Sequence, residues 1–137
     1  MKKRDWLLLA IGDCMQPIQL QKTLFKFAME SQIPEAEKYE FVPYNWGPCS
    51  FEIYEDLSTL RTEGLIEAVS SGQGWNFYRQ TEPGKQKAQA LHKQASSAHV
   101  KSLEKLRDWV TSRDFETLLN DVYKQYPRYA TESLFIK

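Results

Sequence analysis

Apolar residues recur with helical spacing over most of the chain, and this pattern predicts five helices. The predicted helices cover about 4–13, 18–29, 50–63, 82–112 and 114–126. The first is apolar on most sides, which is typical of a buried helix. The second has one clear apolar face, formed by residues at i, i+4, i+7 and i+8: Leu20, Leu24, Phe27 and Ala28.

Capping residues and turns place the boundaries of these elements. Ser50, Thr81 and Asp114 are good N-caps, and Gly64 is a natural C-cap. After Gly64 the apolar period changes from 3.6 to 2, and two β-prone runs around a Gly/Ser turn predict a hairpin over about 65–80. The aromatic, proline-containing stretch 39–48 is predicted to be extended or irregular, because a residue before proline avoids helical geometry.

Three helices followed by a two-stranded hairpin, the wing, is the order of a winged helix-turn-helix. The sequence therefore predicts a mainly α fold with a small β-hairpin. Residues 1–81 would form a winged-helix core, and residues 82–137 a C-terminal helical extension. The extension would pack on the core or form the interface of a homodimer, because small residues along helix 82–112 make a thin apolar seam.

Several short motifs over about 20–85 resemble the Panacea domain family, a phage-associated, SocA-like family of prokaryotes. The motifs are Leu20-Gln21-Lys22, Leu24-Phe25, Phe27-Ala28, Phe41 to Tyr44, Gly47-Pro48, Tyr54 with Asp56, Leu57 and Leu60, Gly64-Leu65-Ile66, and Thr81 to Lys85. The Gly-Pro turn within an aromatic loop is the most specific of them. Asn45-Trp46 precede this turn where the family pattern has a tyrosine.

The resemblance implies a non-enzymatic protein that binds another protein. Members of the family often serve as antitoxins, so the partner would be a toxin, or a protease to which an adaptor delivers the toxin. Exposed aromatic residues are enriched at the centres of such interfaces. The expected contact residues lie in the aromatic loop and on the third helix: Tyr44, Trp46, Gly47, Pro48, Glu52 and Tyr54.

Charge leaves a second function open, a transcriptional regulator that binds duplex DNA. The 137 residues carry no formal net charge, but segment 31–67 has two basic and eight acidic residues, and segment 68–113 has eight basic and three acidic ones. An acidic third helix suits phosphates poorly, so DNA would meet the wing and the fourth helix. The expected DNA contacts are Lys22, Lys26, Arg61, Trp75, Arg79, Lys85 and Lys87.

No catalytic constellation, metal site or cofactor motif is predicted. His92 and His99 are seven residues apart without a third ligand, which is a weak metal signal. Cys14 and Cys49 are expected to be buried, unreactive thiols. Apolar runs are shorter than the ~18 residues of a membrane span, and no signal-peptide cleavage site follows the first one. We therefore expect a cytoplasmic protein with no membrane partner.

Overall fold

Helices carry most of the residues that the computed structural model describes, which are 1–135. The helices are α1 (Lys3–Ile11), α2 (Pro17–Glu30), α3 (Phe51–Thr62), α4 (Glu82–Gln94), α5 (Ser97–Thr111) and α6 (Phe115–Gln125). The strands are β1 (Val42–Tyr44), β2 (Gly47–Cys49), β3 (Ile66–Ser70) and β4 (Asn76–Gln80). The prediction of a mainly α fold with a small β-hairpin is confirmed. The last two residues of the predicted extension 82–137 lie outside the described residues.

The long helix predicted over 82–112 is wrong, because the chain breaks at Ala95 and Ser96. Both residues have extended backbone angles, with ψ of 155° at Ala95 and 130° at Ser96. The break lets α4 pack on α1 while α5 packs on α2. Ala88, Leu91 and Leu103, from the seam that predicted a dimer, are buried within the chain.

Two antiparallel hairpins are present where the sequence predicted one. β3 pairs with β4 from Ile66 opposite Gln80 to Ser70 opposite Asn76, as expected. The aromatic stretch is extended, as expected, and also forms a short hairpin in which Val42 lies opposite Cys49. The periodicity could not reveal it, because β1 and β2 have three residues each.

The centre of the fold is α2, which is buried without interruption from Leu20 to Phe27. Leu20, Leu24 and Phe27 belong to a core shared with α1, α3, α4 and α5. Phe25 belongs to a second core, with residues of α5, α6 and the 3₁₀ turn Pro127–Ala130. Because α2 is covered on all sides over this stretch, the polar residues within it are buried as well.

Local hydrogen bonds confirm three of the four predicted caps. The side chain of Thr81 accepts from the Gly84 N–H, and that of Asp114 accepts from the Thr117 N–H at 2.8 Å. Gly64, with φ of +75°, follows α3, and the Leu65 N–H donates to the Leu60 carbonyl. Ser50 occupies the N-cap position of α3, but its side chain makes no capping bond.

The β3–β4 hairpin is fixed to the loop between α1 and α2. Met15 and Tyr78 exchange two backbone hydrogen bonds of 2.9 Å, and the Gln80 N–H donates to the Gly12 carbonyl. These bonds hold the middle and the end of β4 beside the loop that leads into α2. Within residues 1–135, no helix has the length and apolar character needed to cross a membrane.

Candidate binding pocket

An aromatic pocket of about 510 Å³ lies where α2, α3, α6 and the two hairpins meet. Its volume falls within the range of pockets that hold small ligands. Five aromatic rings line it: Tyr44 of β1, Trp46 of the turn, Tyr54 of α3, Trp75 before β4, and Phe115 at the start of α6. Residues distant in sequence therefore form one aromatic surface.

Four of the five pocket rings are exposed, although most of the five contact other rings. Tyr44, Trp46, Tyr54 and Phe115 are each 43–47% exposed. Trp46 lies edge-on to Phe115, with ring centroids 5.6 Å apart, and Trp75 packs in the same way on Phe77 at 4.7 Å. Such contacts orient the rings, so the pocket has a defined shape while much of its apolar surface stays in water.

The β1–β2 hairpin is held against α2 and α6 by specific contacts. The side-chain amide of Gln21 accepts from the Ser50 N–H at 2.8 Å and donates to the Ser50 carbonyl at 3.0 Å. Gly47 has φ of +90°, and a Cβ there would lie 3.2 Å from Tyr123 Cε1 and 3.4 Å from Lys22 Cε. Glycine is needed at this position for both its backbone angle and its closeness to α2 and α6.

Lys22 lines the pocket but is only 2% exposed. Its ammonium donates to the Pro48 carbonyl at 3.1 Å. Within residues 1–135, no carboxylate lies within ion-pair distance of it. Burial lowers the pKa of Lys22 to about 7, and the nearby thiol of Cys49 opposes this shift. The Lys22 ammonium therefore loses its proton far more readily than that of an exposed lysine.

The neighbours of Lys22 in the pocket have shifted protonation equilibria as well. Burial raises the pKa of the Cys49 thiol, and the Lys22 ammonium partly offsets this. Burial also raises the pKa of the Tyr54 phenol. Both groups are therefore neutral at pH 7 and can donate hydrogen bonds. The pocket combines apolar rings, neutral donors and one cation that lacks a counter-ion among the described residues.

A larger cavity of about 660 Å³ lies beside the 3₁₀ turn Glu35–Glu37, but the lysines that line it are paired. Lys38 pairs with Glu35 at 3.0 Å, and Lys3 pairs with Glu52 of α3 at 2.9 Å. The cavity contains no buried cation that needs a ligand. We therefore take the aromatic pocket as the candidate site.

Five of the six residues predicted to contact a protein partner line the aromatic pocket: Tyr44, Trp46, Gly47, Pro48 and Tyr54. The sixth, Glu52, lies outside the pocket lining and forms the ion pair with Lys3. The sequence missed Gln21, Cys49 and Phe115. Cys49 directly follows the Gly-Pro turn and could have been included, but no local pattern links the start of α6 to this turn.

The residues predicted to contact DNA do not form one surface. Lys22 and Lys26 are buried, 2% and 4% exposed, so their assignment to phosphate contacts is wrong. Helical spacing placed them on a second face of α2, which is covered by chain distant in sequence. Trp75 lines the aromatic pocket, and Arg79 pairs with Glu67 across the β3–β4 hairpin. The other three basic residues are exposed: Arg61 on α3, and Lys85 and Lys87 on α4.

The histidines and cysteines considered in the sequence lie in separate parts of the fold. Among residues 1–135, no group of three or more His, Cys, Asp or Glu side chains could hold a metal ion. His99 packs edge-on against Trp6, with ring centroids 6.4 Å apart. Cys49 is buried as expected, but Cys14 is exposed because it lies in the loop between α1 and α2.

Comparison with protein-family models, with curated proteins and with solved structures found no match to this chain. The resemblance to the Panacea domain family stays a prediction that rests on the motifs named above.

Proposed function

We propose that this chain is a non-enzymatic protein-recognition domain of winged-helix type, which binds a segment of a partner protein in its aromatic pocket. The order of α1, α2, α3 and the β3–β4 hairpin supports the winged-helix assignment. The motifs shared with the Panacea family support a role as an antitoxin or adaptor, with a toxin or a protease as the partner.

The observation that carries this proposal is the convergence of five half-exposed or partly buried rings on one pocket. Aromatic side chains at the centre of an interface supply a large share of binding energy, because they bury much area at little entropy cost. Tyr44 and Trp46 come from one hairpin, Trp75 from the other, and Tyr54 and Phe115 from α3 and α6. Rings exposed on a folded scaffold have their contact surface formed before the partner arrives.

The charge of α3 favours a protein over DNA as the partner. Two of its acidic residues make contacts inside the chain, since Glu52 pairs with Lys3 and Asp56 accepts from the Tyr39 hydroxyl at 2.7 Å. Glu55 of α3 and Glu63, which directly follows α3, are exposed. A helix with this charge would repel the phosphates that line the major groove.

The test is site-specific photo-crosslinking in the cells that make this protein. A photoreactive phenylalanine analogue replaces Phe115 in one variant and Met29 in the other. Met29 is the matched control, because it is 50% exposed on α2 and lies outside the aromatic pocket. We expect a discrete adduct from position 115 and none from position 29.

The captured partner is then purified and titrated against the native chain and its Trp46→Ala variant. A hot-spot ring contributes about 2 kcal/mol or more, so the dissociation constant should rise about thirtyfold. Met29→Ala should leave the constant unchanged. Equal adducts from both positions, or unchanged binding by Trp46→Ala, would contradict the proposal.

Duplex DNA is the second candidate, and the exposure of Arg61, Lys85 and Lys87 favours it. Fluorescence anisotropy with random duplex DNA at low salt tests it. Binding that weakens steeply with salt and is lost in Lys85→Glu/Lys87→Glu would support phosphate contacts on α4. Binding that these substitutions leave unchanged, or no binding at low salt, would contradict it.

A further inference from the structure

Lys22 has more hydrogen-bonding capacity than the chain uses. An ammonium group carries three N–H donors, and the one acceptor that Lys22 has within residues 1–135 is the Pro48 carbonyl at 3.1 Å. The residue is 2% exposed, so bulk water reaches it poorly. Buried cations are normally paired with an anion inside the protein. Among residues 1–135 no such anion lies within ion-pair distance of Lys22, and its side chain lines the aromatic pocket.

The surroundings of Lys22 indicate which kind of ligand could accept its unused N–H donors. The rings of Trp46, Tyr54 and Phe115 suit an apolar or aromatic body, and the amine suits a carboxylate. In an apolar pocket a charge-assisted hydrogen bond is stronger than in water. Given the proposed function, on which this inference rests, we propose that the pocket binds the free C-terminal carboxylate of its protein partner, with Lys22 as the anion-binding residue.

A chain end fits this position better than an internal acidic residue. Because Lys22 is buried, the anion must enter the pocket fully to reach it. A terminal residue can do so while the residues before it lie against the exposed rings of Tyr44 and Trp46. An internal carboxylate would have to bring two flanking chains into a pocket of about 510 Å³. Capture of a terminal carboxylate is a known mode of peptide recognition.

Binding of a carboxylate at Lys22 must be coupled to proton uptake. Burial lowers the pKa of Lys22 to about 7, and an adjacent anion raises it again. Cys49 and Tyr54 line the same pocket as Lys22, and Tyr123 lies with Lys22 beside Gly47. Burial raises the pKa of each of these three groups. None of them adds a positive charge near pH 7. The affinity for a carboxylate should therefore fall about tenfold per pH unit above pH 7.5.

The experiment uses two libraries of random heptapeptides displayed on phage. One library presents free C-termini, and the other presents the same random positions inside a loop. Binders are counter-selected on the Trp46→Ala variant, so that only peptides held by the aromatic pocket are kept. We expect such binders from the free-end library alone.

The best free-end peptide is then synthesised as the acid and as the carboxamide, and both are titrated by tryptophan fluorescence. At pH 6.5 we expect the acid to bind at least about tenfold more tightly than the amide. At pH 9 the preference should fall below about threefold. Phenylacetate and indole-3-acetate are titrated in parallel, to separate a chain end from a small aromatic carboxylate.

Two variants isolate the contribution of Lys22. Lys22→Met should lose the preference for the acid over the amide at every pH, because a carboxylate that enters the pocket without the ammonium stays unpaired. Lys26→Met is the matched control, since it replaces another buried lysine of α2 that does not line the pocket. It should keep the preference for the acid. Circular dichroism verifies that both variants are folded.

The possible results separate this inference from the proposed function. Pocket-dependent binders from the loop library alone would overturn the carboxylate inference and leave the protein-recognition proposal standing. Equal affinity for acid and amide, or a preference that survives Lys22→Met, would overturn it as well. If phenylacetate or indole-3-acetate binds but no peptide does, the inference that the ligand is a chain end is overturned. If neither library nor either small carboxylate gives binding, both proposals are contradicted.

Discussion

Lys22 and Lys26 lie one turn apart on α2 and are both buried, but only one of them is fully partnered by the chain. Lys26 donates to Gln125 Oε1 at 2.8 Å and lies 3.6 Å from the Glu30 carboxylate. Its ammonium is also 3.5 Å from the centroid of the Trp109 ring. The chain supplies Lys26 with an amide, an anion and an aromatic face.

Lys22 has none of these partners among the described residues, and donates to one backbone carbonyl. The difference follows from what covers each lysine. α5 and α6 place long side chains around Lys26, whereas the β1–β2 hairpin places backbone, Gly47 and a thiol around Lys22. The partners that the chain supplies to Lys26 offset part of the cost of burying its charge, although burial still lowers the pKa of Lys26. A buried cation without partners destabilises the fold unless a ligand completes it.

The largest effect should come from Lys22→Met, which removes the unpaired cation. The folded chain loses a proton from Lys22 near pH 7, whereas the unfolded chain keeps it up to 10.5. The stability of the native chain therefore rises with pH above 7, by about 1.4 kcal/mol per unit. The variant should be about 3 kcal/mol more stable at pH 6.5 and about 1 kcal/mol more stable at pH 8.5.

Urea unfolding of both chains at the two pH values measures this difference. The comparison ends at pH 8.5, because the raised pKa of the Cys49 thiol begins to oppose the trend above it. If Lys22→Met is less stable than the native chain at pH 6.5, the Lys22 ammonium stabilises the fold, and the description of it as an unpaired cation is wrong.

The second effect concerns the hairpin that covers Lys22. Gly47→Ala should lower the free energy of unfolding by about 2 kcal/mol, because the new Cβ meets Tyr123 and Lys22 at an unfavourable φ. Gly74→Ala is the control, since Gly74 has φ of +89° but no heavy atom near its Cβ position. It should lower stability by about 1 kcal/mol. Equal losses in the two variants would show that the hairpin can move away from α2.

Lys26→Met should lower the free energy of unfolding, whereas Lys22→Met should raise it, and the change should be smaller. The variant loses the contact with the Trp109 face and the hydrogen bond to Gln125. Its free energy of unfolding should fall by about 1.5 kcal/mol. Urea unfolding at pH 7 measures the loss. A stabilised variant would mean that the two lysines do not differ as their contacts indicate.

The sequence predicts the parts of this fold that depend on near neighbours. Thr81 and Asp114 bind N–H groups three residues ahead, so a short window is enough to find them. The break at Ala95 was missed because alanine favours helix and no glycine or proline marks the site. It depends on α4 and α5 packing against different helices.

The sequence predicts the part of the candidate site that is contiguous in the chain, and not the part that depends on distant segments. The aromatic loop and the Gly-Pro turn are contiguous, so composition alone identifies Tyr44, Trp46 and Pro48 as unusual. Lys22 is buried by the β1–β2 hairpin and α6, which are distant from it in sequence. Helical spacing within α2 carries no information about such distant segments. The same spacing that makes Leu24 a core residue made Lys22 look like a surface residue.

The smallest effect concerns the two thiols, which report on access to the Lys22 side of the pocket. Iodoacetamide at pH 8 should alkylate exposed Cys14 at least about tenfold faster than Cys49, because burial raises the pKa of Cys49 and limits access to it. In Lys22→Met the ammonium that lowers this pKa is gone, so Cys49 should react about twofold more slowly still. Peptide mass spectrometry follows both sites, and the urea-unfolded chain, in which both should react alike, is the control. Equal rates for Cys14 and Cys49 in the folded chain would show that solvent reaches Lys22 freely, and the contrast between the two lysines would then no longer hold.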